Sequence, residues 1–197
     1  MNKTRLEAFS DGVLAIIITI MVLEFKVPHS TEWHALQPLI PVFISYVLSF
    51  IYVGIYWNNH HHMVHTIKHL SAGIMWTNLN LLFWLSLVPF ATAYMGENHF
   101  AGVPVAVYAI VLVMCAISYD IMRRFIIYCH KDDHEVRDLL SKQQNKTIIS
   151  TVCYALAFVF SFFYPWVSVG LFFFIGSIWF IPDKTIEKEA NHIHPGK

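Results

Sequence analysis

Arg5-Leu6-Glu7-Ala8-Phe9-Ser10-Asp11 heads a run from Gly12 to Leu23 that reads GVLAIIITIMVL, with no charge until Glu24. That uncharged run is twelve residues long, or about 18 Å of helix at roughly 1.5 Å per residue. A bilayer core is about 30 Å thick. A helix that crosses here therefore carries Asp11, together with Arg5 or Glu24, at or inside the membrane boundary. Ionisable groups in such positions are costly and mark functional or anchoring sites.

The rest of the chain agrees with a membrane setting. Of 197 residues, 56 % are hydrophobic, 16 % aromatic and 13 % charged, against about 25 % charged in a soluble domain. Five further apolar segments follow the first. The six predicted spans cover about 5–25, 36–57, 71–94, 102–127, 147–164 and 165–181, and 183–197 forms a tail. The last two, separated only by Tyr164-Pro165-Trp166, read as a tight hairpin. Between the fourth and fifth, DDHEVRDLLSKQQNK has helical spacing and mixed charge, which predicts a short solvated helix. Cys115, Cys129 and Cys153 lie in or near apolar runs without a CxxC pattern, so they read as small apolar side chains rather than a disulfide framework. Charges inside the first run and the lack of a small-x-small site argue against a cleaved leader.

Orientation follows from the basic residues. With six alternating spans and the N-terminus inside, every one of the 13 lysines and arginines except Lys26 faces the cytoplasm. The expectation is a multi-pass protein of the cell (inner) membrane with both termini cytoplasmic.

On a helical wheel Ile16, Thr19, Ile20 and Leu23 share one face of the first helix, and Phe9 and Gly12 continue it. Asp11 lies roughly 140° from Ile16, and Ser10 roughly 120° away on the other side. One helix thus carries two jobs: an apolar stripe free to face an axis, and a Ser-Asp face free to bond neighbouring helices. Arg5 and Asp11 read as anchors that hold the helix rather than as groups touching a permeating ion. Trp57-Asn58-Asn59-His60 ends the second span, and Asn78 and Asn80 open the third. Each offers donors to Ser10 or Asp11, and such bonds in a membrane contribute roughly 0.6–2 kcal/mol.

These residues resemble the transmembrane protein 175 family, whose hallmark is Arg-x-x-x-Phe-Ser-Asp at the start of the first helix. The motif is complete at Arg5, Phe9, Ser10 and Asp11. Trp57 with His60 three residues on, and Asn78 followed eleven residues later by Pro89-Phe90, continue the likeness. The resemblance implies an all-α membrane protein of six spans whose first helix lines the central pore of a homotetramer. It also implies a potassium-selective, leak-type channel with passive conduction and no re-entrant filter loop; no TVGYG-like stretch is present. By position after the motif, the gate residues would be Ile16, Ile20 and Leu23, with Thr19 as the pore hydroxyl. Arg5, Phe9, Ser10, Asp11, Trp57, His60 and Asn78 would form the anchoring network. Potassium is the permeant ion and no cofactor is implied.

A second cluster competes for attention. His60, His61, His62, His65 and His69 crowd together, and His61, His65 and His69 fall at i, i+4 and i+8. Two histidines at i, i+4 suit zinc, but a site needs three or four converging ligands. The rival function is a divalent-metal or proton-coupled secondary transporter using the 60–69 cluster. No paired carboxylates within the other spans support it. No nucleophile–base pair points to an enzyme, and no nucleic-acid motif is present.

Overall fold

The computed structural model describes residues 2–180, and all regular structure among them is helical. Helix α1 spans Lys3–Met21 and tightens into a 3₁₀ turn at Val22–Glu24. A 3₁₀ segment at Trp33–Leu39 leads into α2, Ile40–His65. Then follow α3 (Ala72–Ser86), α4 (Val88–Glu97), α5 (Gly102–Cys129), α6 (His134–Lys142), α7 (Gln144–Ser161) and α8 (Pro165–Phe180). Among the described residues, four stretches are long and apolar enough to cross a membrane: Lys3–Glu24, Trp33–His65, Ala72–Glu97 and Gly102–Cys129. The last predicted pair is shorter. Helix α8 has 16 residues, and α7 has 18 that open on Gln144, Asn145 and Lys146. The predicted tail 183–197 and the end of the sixth span lie outside the described residues.

The third predicted span is one stretch made of two helices. Pro89 has no N–H to give to the turn before it, so the ladder closes early: Leu87 N–H donates to Trp84 O at 3.2 Å, and the next helix restarts with Ala91 N–H on Leu87 O at 3.1 Å. Helix α2 runs on past its predicted end through the histidines. It stops at Thr66, whose hydroxyl turns back to Met63 O at 2.8 Å. The predicted solvated helix is α6. Asp133 caps it by accepting from Val136 N–H at 3.3 Å, and its apolar residues Val136 and Leu140 are buried.

Helix α5 is the central post, packed against α3, α4 and α7, while α1 leans on α2, α3 and α4. In lipid, burying one more aliphatic side chain gains little, so close approach and polar bonds decide which helices meet. Both occur here. A Cβ added at Gly96 would stand 2.8 Å from the Val42 backbone, so only glycine lets α4 approach α2 this closely. Ser49 Oγ lies 2.7 Å from Thr92 Oγ1 and 2.9 Å from the Tyr108 oxygen, tying α2, α4 and α5 together in the buried interior.

Candidate functional site

Helix α1 starts cleanly because the Asn2 side chain accepts from Arg5 N–H at 3.0 Å. Its buried positions are Leu6, Ser10, Leu14, Ile17 and Met21, a repeat of four, four, three and four that marks one face. The opposite face is open. Phe9 is 51 % exposed, Ile16 56 %, Ile20 41 % and Leu23 77 %, and Gly12 and Thr19 are exposed between them. The stripe derived from the wheel is therefore the uncovered side of the helix. The Thr19 hydroxyl lies 3.0 Å from both Ala15 O and Ile16 O. Its hydrogen is spent on its own helix, which leaves oxygen lone pairs to face outward.

The covered side is held by named bonds. Trp57 Nε1–H donates to Asp11 Oδ1 at 3.0 Å. Asn78 Nδ2–H donates to Ser10 Oγ at 3.0 Å, and Ser10 Oγ–H donates to Leu6 O at 2.9 Å. With its amide nitrogen committed to Ser10, Asn78 offers Oδ1 to His60 Nε2 at 2.6 Å, so Nε2 carries the proton. Donation therefore runs in one direction, from His60 to Asn78 to Ser10 to Leu6. His60, Asn78 and Ser10 are all buried, where an unpaired polar group is costly. Helices α2 and α3 thus grip α1 on adjacent residues, Ser10 through Asn78 and Asp11 through Trp57.

Arg5 and Phe9 stand apart from this network. Arg5 is exposed, and no hydrogen bond of its guanidinium is found among the described residues. Asp11 lies six positions further along the helix, which puts the two roughly 120° apart around the axis. Phe9 lies on the exposed stripe instead. Asn80 also goes elsewhere, its Nδ2–H donating to Ser118 Oγ of α5 at 2.8 Å.

The histidine cluster divides in two. Trp57, His61 and His65 form a ladder along α2, with ring centroids 6.5 and 6.1 Å apart and planes inclined by 29° and 23°. His69 is not its next rung. Helix α2 ends at His65, the chain turns, and the His69 ring stacks on His130 of the α5 terminus at 6.4 Å. The three candidate ligands His61, His65 and His69 do not converge, and no group of three metal-ligating side chains occurs among the described residues.

Three features escaped the sequence. Lys3 Nζ donates to His65 O at 2.6 Å, fastening the start of α1 to the end of α2; a lysine facing a helix C-terminus is the only sequence signal for it. At the other end, Lys26 meets Glu97 at 2.7 Å, and that carboxylate holds the ammonium above the usual lysine range. Between α1 and α4 runs a groove of about 620 Å³, whose walls include Ile16, Ile20, Glu24 and Phe90. Its walls come from segments far apart in sequence, so no local pattern announces it.

Comparison with known proteins places these residues in context. The family model described as endosomal/lysosomal potassium channel TMEM175 matches residues 5–89. A protein named as a potassium channel from Chryseobacterium sp. (strain P1-3) is 53 % identical over 188 residues, covering 95 % of this chain and 97 % of that one. Another so named, from Chamaesiphon minutus, is 33 % identical over 184 residues, covering 86 % and 89 %. The crystal structure of a lysosomal potassium-selective channel TMEM175 homologue from Chamaesiphon minutus superposes with a TM-score of 0.77 at 31 % identity, covering 90 % of this chain and 95 % of that one.

Proposed function

The chain belongs to the TMEM175 potassium-channel family, and from that premise we propose that its first helix forms the conduction path. It is a potassium-permeable channel of the membrane. In this reading four copies assemble around α1, and the open stripe of Ile16, Ile20 and Leu23 narrows the pore. The single observation that carries it is the division of α1: one face buried and bonded at Ser10, its partly exposed flank bonded at Asp11, and the other face exposed at Phe9, Ile16, Thr19, Ile20 and Leu23. A narrow apolar neck dewets and blocks hydrated ions, so such a stripe gates without a carbonyl filter. Thr19, between Ile16 and Ile20, presents an oxygen with its lone pairs outward. Four such oxygens would replace part of the water a potassium ion sheds.

The same reading takes α7 and α8 as a fifth and sixth span, closed by the hairpin at Tyr164-Pro165. It puts both termini in the cytoplasm of a cell whose inner membrane holds the protein. The distribution of basic residues supports that orientation.

Recording from the reconstituted protein with potassium on one side and sodium on the other tests the function. The expected result is current without any counter-substrate and a reversal potential favouring potassium. Transport that requires a divalent-metal gradient, and that disappears when His61 and His65 are replaced, would establish the exchanger instead.

A further inference from the structure

His130, the residue that closes α5, is buried, and both of its ring nitrogens are committed. Nδ1 lies 3.0 Å from Ile126 O. Nε2 lies 3.1 Å from the backbone nitrogen of Lys68 and 3.3 Å from that of His69. A carbonyl only accepts and a backbone N–H only donates. Nδ1 therefore carries the hydrogen and Nε2 the lone pair, which makes the ring neutral and fixes its tautomer.

The two amides belong to the turn 66–71 between α2 and α3, and that turn fans out to the rest of the cytoplasmic end. Just before it, His65 O accepts from Lys3 of α1. At its end, Ser71 caps α3 by accepting from Ile74 N–H at 3.3 Å. In its middle, Lys68 Nζ pairs with Asp133 Oδ2 at 2.5 Å. Helices α2 and α3 carry Trp57, His60 and Asn78, the groups that grip α1. His130 is thus where α5 secures the turn on which that grip depends.

We propose that His130 is a proton-sensitive latch: a proton on Nε2 breaks its hold on the 66–71 turn and lowers potassium conduction. The conduction half of this rests on the channel reading; the latch chemistry does not. A protonated ring sets an N–H against two backbone N–H groups, so two bonds are lost and a third donor is left facing them. The groups around it are Lys68 and His69 from the turn, Cys129 from its own helix, Asp132 and Asp133 from the link into α6, and His134 from the start of α6, all lining a cavity of about 450 Å³. The His69 ring lies parallel to it, at 8°. The bond between Lys68 and Asp133 holds the lysine above its usual value and the aspartate below its own. That ion pair therefore stays charged across the pH range of the test.

The test uses the full chain. Amide exchange over 66–71, expressed as protection against the intrinsic rate, is compared at about pH 7.5 and about pH 5.5, on either side of the free imidazole range. Protection at Lys68 and His69 is expected to fall about tenfold in the wild type and to hold in His130→Gln. The glutamine oxygen accepts both N–H groups, its NH₂ reaches Ile126 O, and it gains no proton. Unchanged protection in the wild type, or an equal loss in both proteins, overturns the latch. Should the glutamine variant fail to fold, ¹⁵N shifts of the wild-type ring at neutral pH decide the matter. The Nδ1-protonated tautomer is required, and the Nε2-protonated one overturns the proposal. Potassium flux from liposomes with equal pH on both faces reads the coupling, with a severalfold fall in the wild type and none in the variant. Flux lost equally in both proteins overturns that coupling. Absence of flux at either pH counts against the channel reading, and the latch then stands or falls on amide exchange.

Discussion

An indole N–H given to a carboxylate is a small interaction with a specific consequence here. The Trp57–Asp11 bond and the Asn78–Ser10 bond fix adjacent residues of α1 from two different helices, so the helix is neither free to rotate nor to slide. Trp57→Phe keeps the ring and removes the donor. It should cost about 1–2 kcal/mol of folding stability, within the range for bonds to charged groups and for bonds in membranes. The measurement is a thermal melt of the purified protein in detergent. A variant that melts with the wild type would show that this bond holds nothing. Much of the network was legible because Ser10 and Asp11 are ionisable or polar residues at a membrane boundary, and Trp57, His60 and Asn78 are the polar residues at the matching ends of the next two spans. Arg5 and Phe9 stand outside it because they share the motif without sharing its face. A motif fixes residue identity, whereas membership in a network is decided by angle around the helix axis.

At the scale of elements, the two-faced character of α1 was readable from periodicity alone, and the exposures of Ile16, Ile20 and Leu23 match that derivation. If the stripe is the constriction, a polar side chain on it should let water in. Ile16→Asn is expected to raise single-channel conductance by about tenfold, equivalent to a wetting barrier about 1.4 kcal/mol lower. An unaltered conductance would remove Ile16 from the gate. The break at Leu87 and the end of α2 at Thr66 were less legible. Hydropathy measures how apolar a stretch is, and a stretch stays apolar whether or not its hydrogen-bond ladder is continuous. Pro89 was the available signal for the first. For the second, the periodic histidines suggest a helix longer than the one that forms, which puts His69 on a ladder it never joins. Its true neighbour, His130, is 61 residues further along the chain.

The whole molecule is assembled from contacts of that long-range kind. Composition and six apolar segments point to the membrane. Among the described residues, four stretches meet the length and composition of a span outright, and α7 and the described part of α8 do not. The order of packing, with α5 as the post and α1 at the edge with one face open, was not readable. It depends on close approach at residues such as Gly96 and on buried hydroxyl bonds such as Ser49 to Tyr108. The uncovered apolar face of α1 meets either lipid or another copy of the chain, and its completion by symmetry is the central claim. A density map of the protein in lipid at side-chain resolution tests this most directly. The account predicts four chains around one axis, with α1 innermost and Ile16, Ile20 and Leu23 pointing at that axis. A map with α1 at the periphery against lipid, or with those three side chains turned away from the axis, would contradict it.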